Sequence, residues 1–239
     1  GGVVEIAISN ELDAEINDVW NRSENHLGGQ YGIFNANSTD GYMITNHIIK
    51  DNNNNIWVAN PYSEYLDDEF YDNWPIAIKH NSGNWFHIKN NDLAYIPKEI
   101  AIDNNSNLWI SYIYSENYSS SGIRMVEFKN ITIQEDDIWY NNWLNTEFND
   151  LDVYSIAISD LPDGNQVLWA MCDLGVKGFI LNQTYVSGYL NTEFTPIEDE
   201  YYFSNLSYSE GCKIRIDNQN NVWITTVNDG LRVINNNGE

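Results

Sequence analysis

Five tryptophans each follow directly on an aliphatic residue, and their spacing constrains the fold more than any other feature of the 239-residue chain. The pairs are Val19-Trp20, Ile56-Trp57, Leu108-Trp109, Leu168-Trp169 and Val222-Trp223, separated by steps of 37, 52, 60 and 54 residues. Repeats of about 40–50 residues are the signature of propeller blades. Upstream of each pair lies a short run rich in aliphatic residues: 4–8, 48–51, 99–103, 155–159 and 213–217. Alternation over four to six residues with abundant Ile predicts a strand.

Between run and tryptophan sits a polar turn. Three copies nearly superimpose: Asp51-Asn-Asn-Asn-Asn-Ile-Trp57, Asp103-Asn-Asn-Ser-Asn-Leu-Trp109 and Asp217-Asn-Gln-Asn-Asn-Val-Trp223. In each, the Asp lies six residues before the Trp. Asn and Asp tolerate positive φ and bond their own backbone, so these are hairpin turns. Longer turns are expected over 9–18 and 159–166. A third strand is expected at 31–34, 75–79, 122–128, 175–181 and 230–234, and a fourth, more polar one at 83–88, 131–134 and 183–188. The phrase Leu144-Asn-Thr-Glu-Phe148 recurs as Leu190-Asn-Thr-Glu-Phe194, which supports the repeat independently.

Four short antiparallel strands cannot bury both of their own faces, so such units stack radially. The expected fold is all-β: a propeller of about five four-stranded blades over 3–40, 41–90, 96–142, 152–190 and 210–239, in one domain spanning 1–239. Trp20, Trp57, Trp109, Trp169 and Trp223 are its structural wedges between blades. The fifth copy lacks a fourth strand, so the chain reads either as a five-bladed ring with imperfect closure or, the favoured reading, as a segment of a larger propeller completed by further domains or subunits. A β-sandwich leaves the regular step unexplained.

The pattern resembles the two-component-regulator propeller repeat, in which an aliphatic strand ends in Asp, a polar turn leads to an aliphatic-Trp pair, and a Gly-aliphatic strand follows. The carrying residues are Ile100-Ala-Ile-Asp-Asn-Asn-Ser-Asn-Leu-Trp-Ile110 with Gly122-Ile123, and Ile214-Arg-Ile-Asp-Asn-Gln-Asn-Asn-Val-Trp-Ile224 with Asp229-Gly-Leu231. Two departures stand out. Asn55, Asn107 and Asn221 occupy the family's frequent Gly before the pair, and the Gly-Thr after the Trp strand is absent. The resemblance implies periplasmic sensor propellers that detect carbohydrates, or secreted and surface-bound bacterial propellers linked to type IX secretion.

Charge narrows the partners. With 11 Lys+Arg against 35 Asp+Glu, the net charge is −24, which repels nucleic acid and anionic membranes. No run approaches the roughly 18 apolar residues of a membrane span, and no signal peptide opens the chain. Cys172 and Cys212 form neither a disulfide framework nor a metal-ligand spacing, and read as two buried thiols unless their strands adjoin.

Few motifs suggest chemistry. Asp51-x-Asn53-x-Asn55 and Asp103-x-Asn105-x-Asn107 open like a calcium loop, but position six is Ile56 or Leu108 and position twelve is Tyr62 or Tyr114. A calcium loop needs Gly and Glu there, so no cofactor is expected and calcium is a minor alternative. His26, His47, His80 and His87 share no ligand spacing. Nucleophile elbows and phosphate loops are absent from the sequence. Acidic clusters at 64–70, 135–137 and 198–202 and many aromatics read as inter-strand loop residues. The ligand-binding candidates are Tyr65, Asp67, Asp68, Trp74, Tyr114, Trp139 and Tyr201. No catalytic or metal residue is assigned. The expected function is a non-catalytic secreted, cell-surface or periplasmic module binding protein or glycan. The alternatives are a polysaccharide-degrading propeller and a structural subunit of an extracellular assembly.

Overall fold

The computed structural model describes residues 3–8, 14–20, 44–61, 64–67, 70–73, 75–88, 97–113, 122–131, 137–140, 148 and 151–236, with the backbone alone for 3–8, 14–20, 64–67 and 70–73. Every named element is a strand. The chain forms two compact units, Gly1–Pro97 and Lys98–Glu239.

In the first unit, β1 (Val3–Ile8) pairs with β2 (Ala14–Trp20). A four-stranded sheet follows, built from β3 (His47–Lys50), β4 (Ile56–Ala59), β7 (Ile76–Lys79) and β8 (Trp85–Ile88). Between β4 and β7 the chain extends a separate hairpin, β5 (Glu64–Asp67) with β6 (Phe70–Asn73). Tyr65, Phe70 and Tyr71 therefore lie in strands and not in a loop.

The second unit starts with β9 (Pro97–Ile102), β10 (Leu108–Tyr112), β11 (Gly122–Glu127) and β12 (Ile138–Tyr140). The next sheet holds β13 (Ser155–Asp160), β14 (Gln166–Cys172), β15 (Gly175–Val186) and β16 (Tyr189–Pro196). A three-stranded sheet of β17 (Ile214–Ile216), β18 (Val222–Thr225) and β19 (Leu231–Ile234) ends it. Each sheet is an antiparallel meander in chain order, and each aliphatic-Trp pair sits in the second strand of its sheet.

Packing in this unit follows the blade pattern of a β-propeller. The inner parts of successive sheets adjoin, β10 against β13 and β13 against β17. Each buried tryptophan is covered by the following sheet. Trp109 meets Phe194 edge-on at 5.9 Å, and Trp169 packs among Ile214, Val222, Ile224 and Ile234. Gly178, directly opposite Trp169 across β14–β15, lies under the indole: an added Cβ would come within 2.7 Å of the ring.

The polar turns share one geometry. The third residue after the Asp takes positive φ: Asn54 (66°), Ser106 (67°) and Asn220 (63°). The Asp carbonyl accepts from that residue's N–H, and the Asp N–H returns to the carbonyl one residue further. Gly164 (φ 89°) does the same after Leu161 in the β13–β14 turn, which at 161–165 is as short as the others and not the longer turn expected over 159–166.

Expectations for the third strand match β7, β11, β15 and β19; 31–34 lies outside the described residues. Two fourth-strand expectations are corrected. Ile131 lies in a turn, 132–136 lies outside the described residues, and the strand is β12 at 138–140. Trp139 and Tyr140, read as loop aromatics, belong to it, and Tyr112 likewise lies in β10. Gln183–Val186 belongs to the 12-residue β15, and the fourth strand is β16, reached through positive φ at Ser187 and Gly188. Burial alternates along β16, with Leu190 and Thr192 covered between exposed neighbours, whereas the outer end of β15 is exposed on both sides and gives no inward-facing apolar positions. The expected turn over 9–18 is also shorter, since β2 starts at Ala14.

Candidate functional site

The repeated Asp and Trp form a clasp. Trp57, Trp109 and Trp223 donate from Nε1 to Oδ2 of Asp51, Asp103 and Asp217 at 2.9, 3.0 and 2.8 Å. Asn55, Asn107 and Asn221 give both backbone N–H to Oδ1 and Nδ2 to Oδ2 of the same Asp. A fourth donor is the backbone N–H of Asn53, Asn105 or Gln219. Asn in place of the family's Gly therefore supplies a side-chain donor that Gly lacks. In the fourth copy Ser159 takes over, accepting from Trp169 Nε1 at 2.9 Å. Each clasp carboxylate faces at least four N–H donors, with Gln183 Nε2 a fifth at Asp103, which is the turn reading of the calcium-like spacing. Among the described residues no three His, Cys, Asp or Glu are grouped to hold a metal. The Trp223 indole and then Asn221 hold the Asp217 carboxyl down at about 2. The clasp tryptophans Trp57, Trp109 and Trp169 are buried at 1–2% exposure, whereas Trp223 is 37% exposed; the side chain of Trp20 lies outside the described set.

A second polar group joins three sheets. Glu99 on β9, Ser155 at the head of β13 and Lys213 just before β17 occupy the same repeat position. Glu99 is fully buried. It accepts from Lys213 Nζ at 3.0 Å and from Arg215 at 3.1–3.3 Å. It also accepts from Ser155 Oγ and from the Ile156 N–H at 3.3 Å. Ser155 Oγ in turn accepts from the Ile214 N–H at 2.8 Å. Two half-exposed cations and two hydrogen bonds thus offset the cost of burying this carboxylate.

The β13–β14 turn, 160–166, separates two cavities. One, of about 400 Å³, is mostly apolar, with Leu161, Trp169, Ile180, Pro196 and Ile197 as walls and Asp163, Asn220 and Asn235 among its polar residues. The other, of about 360 Å³, is lined by Asn104, Asn105, Gly164, Asn165, Gln166, Leu181, Asn182, Gln183 and Thr184. No ionisable side chain lines it. Its amides stitch sheets together. The Asn104 N–H donates to Gln166 Oε1 at 2.7 Å, and Asn104 Nδ2 and Gln166 Nε2 both donate to Asp160 Oδ1. Asn105 Nδ2 donates to Gln183 Oε1, and Gln183 Nε2 donates to Asp103 Oδ2 at 2.8 Å.

Of the sequence-derived candidates, Trp139 and Tyr201 have described side chains. Asp68, Trp74 and Tyr114 lie outside the described residues. Tyr65 and Asp67 sit on β5, where the backbone alone is described. Trp139 is half-buried on β12, opposite Val126. Tyr201 is half-buried in the connection after β16 and holds Lys177 Nζ over its ring at 5.1 Å; Lys177 also donates to the Asp199 carbonyl. Neither Trp139 nor Tyr201 lines either cavity. Glu198, Asp199 and Glu200 are exposed. Asn105 stands in the calcium-like spacing and Gln183 in an expected fourth strand, but no sequence pattern joins the cleft amides into one site.

Cys172 and Cys212 are both free and buried. Burial pushes the Cys172 thiol up to about 11, so it is not an activated nucleophile. Burial, and the Tyr140 hydroxyl's hydrogen bond to Glu127 at 2.9 Å, push that phenol up to about 12.

These sheets define a β-propeller class of protein whose repeated polar residues serve the blades. No protein-family model matches the chain, and no curated protein matches it. The two-component-regulator repeat therefore rests on the residues quoted above alone. Among solved structures, the chain is similar to selenomethionine-substituted virginiamycin B lyase from Staphylococcus aureus, with a TM-score of 0.46 and 14% sequence identity. The match covers 86% of this chain and 56% of that one, so the chain spans little more than half of that protein's length.

Proposed function

We propose that this chain is a non-catalytic binding module that recognises a protein or glycan outside the cytoplasm. The observation that carries the reading is the use made of the acids. Asp51, Asp103 and Asp217 are each engaged by at least four N–H donors, and the buried Glu99 by Lys213, Arg215 and Ser155. Glycoside hydrolysis needs two carboxyl groups flanking a bond, one of them carrying a proton to give away. The regularly placed acids of this repeat are spent on holding strands. Among the described residues, two cavities beside the β13–β14 turn, one amide-lined and one apolar, are open to a ligand.

The setting follows from the repeat resemblance, which points to periplasmic, secreted or surface-bound propellers and to type IX secretion. A net charge of −24 favours neutral or cationic partners. Among the described residues, no helix is long and apolar enough to cross a membrane. Affinity electrophoresis through gels containing neutral polysaccharides, with a parallel assay for new reducing ends, tests the reading. Retarded migration with no new reducing ends is expected. Reducing ends whose release disappears on changing one carboxylate to its amide would overturn it.

A further inference from the structure

We propose that the amide-lined cleft between the β9–β10 turn and β13–β15 is a binding site for a neutral, hydroxyl-rich ligand, a saccharide without carboxylate or sulfate groups. The proposal rests on the binding-module reading and gives that module a place and a ligand class.

Three observations carry it. The first is the chemistry of the lining. Asn104, Asn105, Asn165, Gln166, Asn182 and Gln183 offer amides, Thr184 a hydroxyl and Leu181 one apolar wall, with no ionisable group among them. A sugar hydroxyl both donates and accepts, and so does a carboxamide: it has two N–H bonds and a carbonyl with two lone pairs. An anionic ligand would find no counter-charge here and would meet a protein of net charge −24.

The second is that the amides are already held. Asn104 and Gln166 each give one side-chain N–H to Asp160, and Gln183 gives one to Asp103. Asn182 gives one to Thr195 Oγ1 at 3.1 Å, and Asn165 one to Asp163 at 2.9 Å. One N–H of each NH₂ group is thereby spent inside the fold, and the other remains to project toward a ligand. Charge-assisted bonds to carboxylates are strong enough to hold such a side chain in one orientation. The ordering cost of binding is then met largely by folding.

The third is size. A cleft of about 360 Å³ lies within the roughly 300–1,000 Å³ span of small-molecule sites. The same amides also bridge sheets, so a ligand seated here would touch the β9–β10 turn, the β13–β14 turn and β15 together.

The test is isothermal titration of the full chain with neutral gluco-, xylo- and manno-oligosaccharides and with oligogalacturonate as the anionic comparison. Two variants accompany it: Thr184→Leu, which removes a hydroxyl and fills space, and Asn182→Ala, which removes an amide. Both positions lie on β15 on either side of Gln183, and Asn182 bonds Thr195 and not a clasp carboxylate. The expected result is saturable binding of a neutral oligosaccharide, at least tenfold weaker binding of oligogalacturonate, and at least a tenfold loss in Thr184→Leu with an unchanged unfolding midpoint. Should Thr184→Leu unfold, the same loss is expected in Asn182→Ala. Neutral-saccharide binding that survives in every folded variant would overturn the cleft while leaving the module reading intact. Binding of oligogalacturonate as tight as that of the neutral series would overturn the ligand class. Absence of any saccharide isotherm would overturn the proposal itself, and polysaccharide cleavage would overturn the module reading beneath it.

Discussion

Asp103 shows how much one side chain does in this repeat. Its two oxygens accept from Asn105 and Asn107 backbone N–H groups, Asn107 Nδ2, Trp109 Nε1 and Gln183 Nε2. Replacing Asp103 with Ala strands a buried indole N–H and a buried amide, and a donor left unpaired in the interior costs more than the bond itself gained. A loss of about 3 kcal/mol is expected in urea unfolding. Asp217→Ala should cost less, because Trp223 is exposed where Trp109 is buried. Asp217 carries a pH signature as well. Its folded carboxyl sits at about 2, below the ordinary 3.8, because Trp223 and Asn221 donate to the ionised form. That stabilisation is fully present above the unfolded value of 3.8 and is lost as pH falls toward 2. The difference in unfolding midpoint between the native chain and Asp217→Asn should therefore be constant above about pH 5 and shrink between pH 4 and 2.

At the scale of strands and sheets, register places Gly178 beneath Trp169. Gly178→Ala sets a methyl group against a ring that the next sheet also packs, and should cost about 1–3 kcal/mol by overpacking, with a shifted tryptophan emission. The Glu99 cluster ties β9 to β13 and β17. Glu99→Ala leaves Lys213 and Arg215 without their carboxylate and Ser155 without its acceptor. A destabilisation of about 3 kcal/mol is expected by chemical denaturation. Much of this level was readable in the chain. The aliphatic-Trp pairs, the Asp six residues upstream and the Asn-rich turns predict hairpins where β3–β4, β9–β10 and β17–β18 form. Of the fourth strands, β8 falls where expected and two do not. Ile138-Trp-Tyr140 is too short and uniformly apolar to alternate, and the alternation of 189–196 follows a polar run, 183–186, that extends β15 instead of starting a new strand. Burial of Glu99 was equally illegible, since only the fold brings Lys213 and Arg215 to it across more than a hundred residues.

For the whole molecule, chemistry and architecture separate. The residues that recur at the clasp positions hold blades, whereas the amide cleft draws Asn104 and Asn105 from a repeated turn and its other amides from the β13–β14 turn and β15. The sequence candidates are acids beside aromatics, and the two with described side chains, Trp139 and Tyr201, are half-buried and line neither cavity. The amide cleft depends on the β9–β10 turn meeting a strand some eighty residues away, which no local pattern announces. The two thiols belong to the framework too. With Cys172 and Cys212 free and buried, a thiol reagent should leave the native chain unmodified, react with two groups in urea, and find the unfolding midpoint unchanged by reductant. The most direct test of the division between framework and site is the side-chain ¹⁵N–¹H spectrum during titration with a neutral oligosaccharide. The account predicts shifts in the amide NH₂ signals of Asn104, Asn105, Gln166 and Asn182, while the indole signals of Trp57, Trp109 and Trp169 stay fixed. Moving indoles with unmoved cleft amides would contradict it.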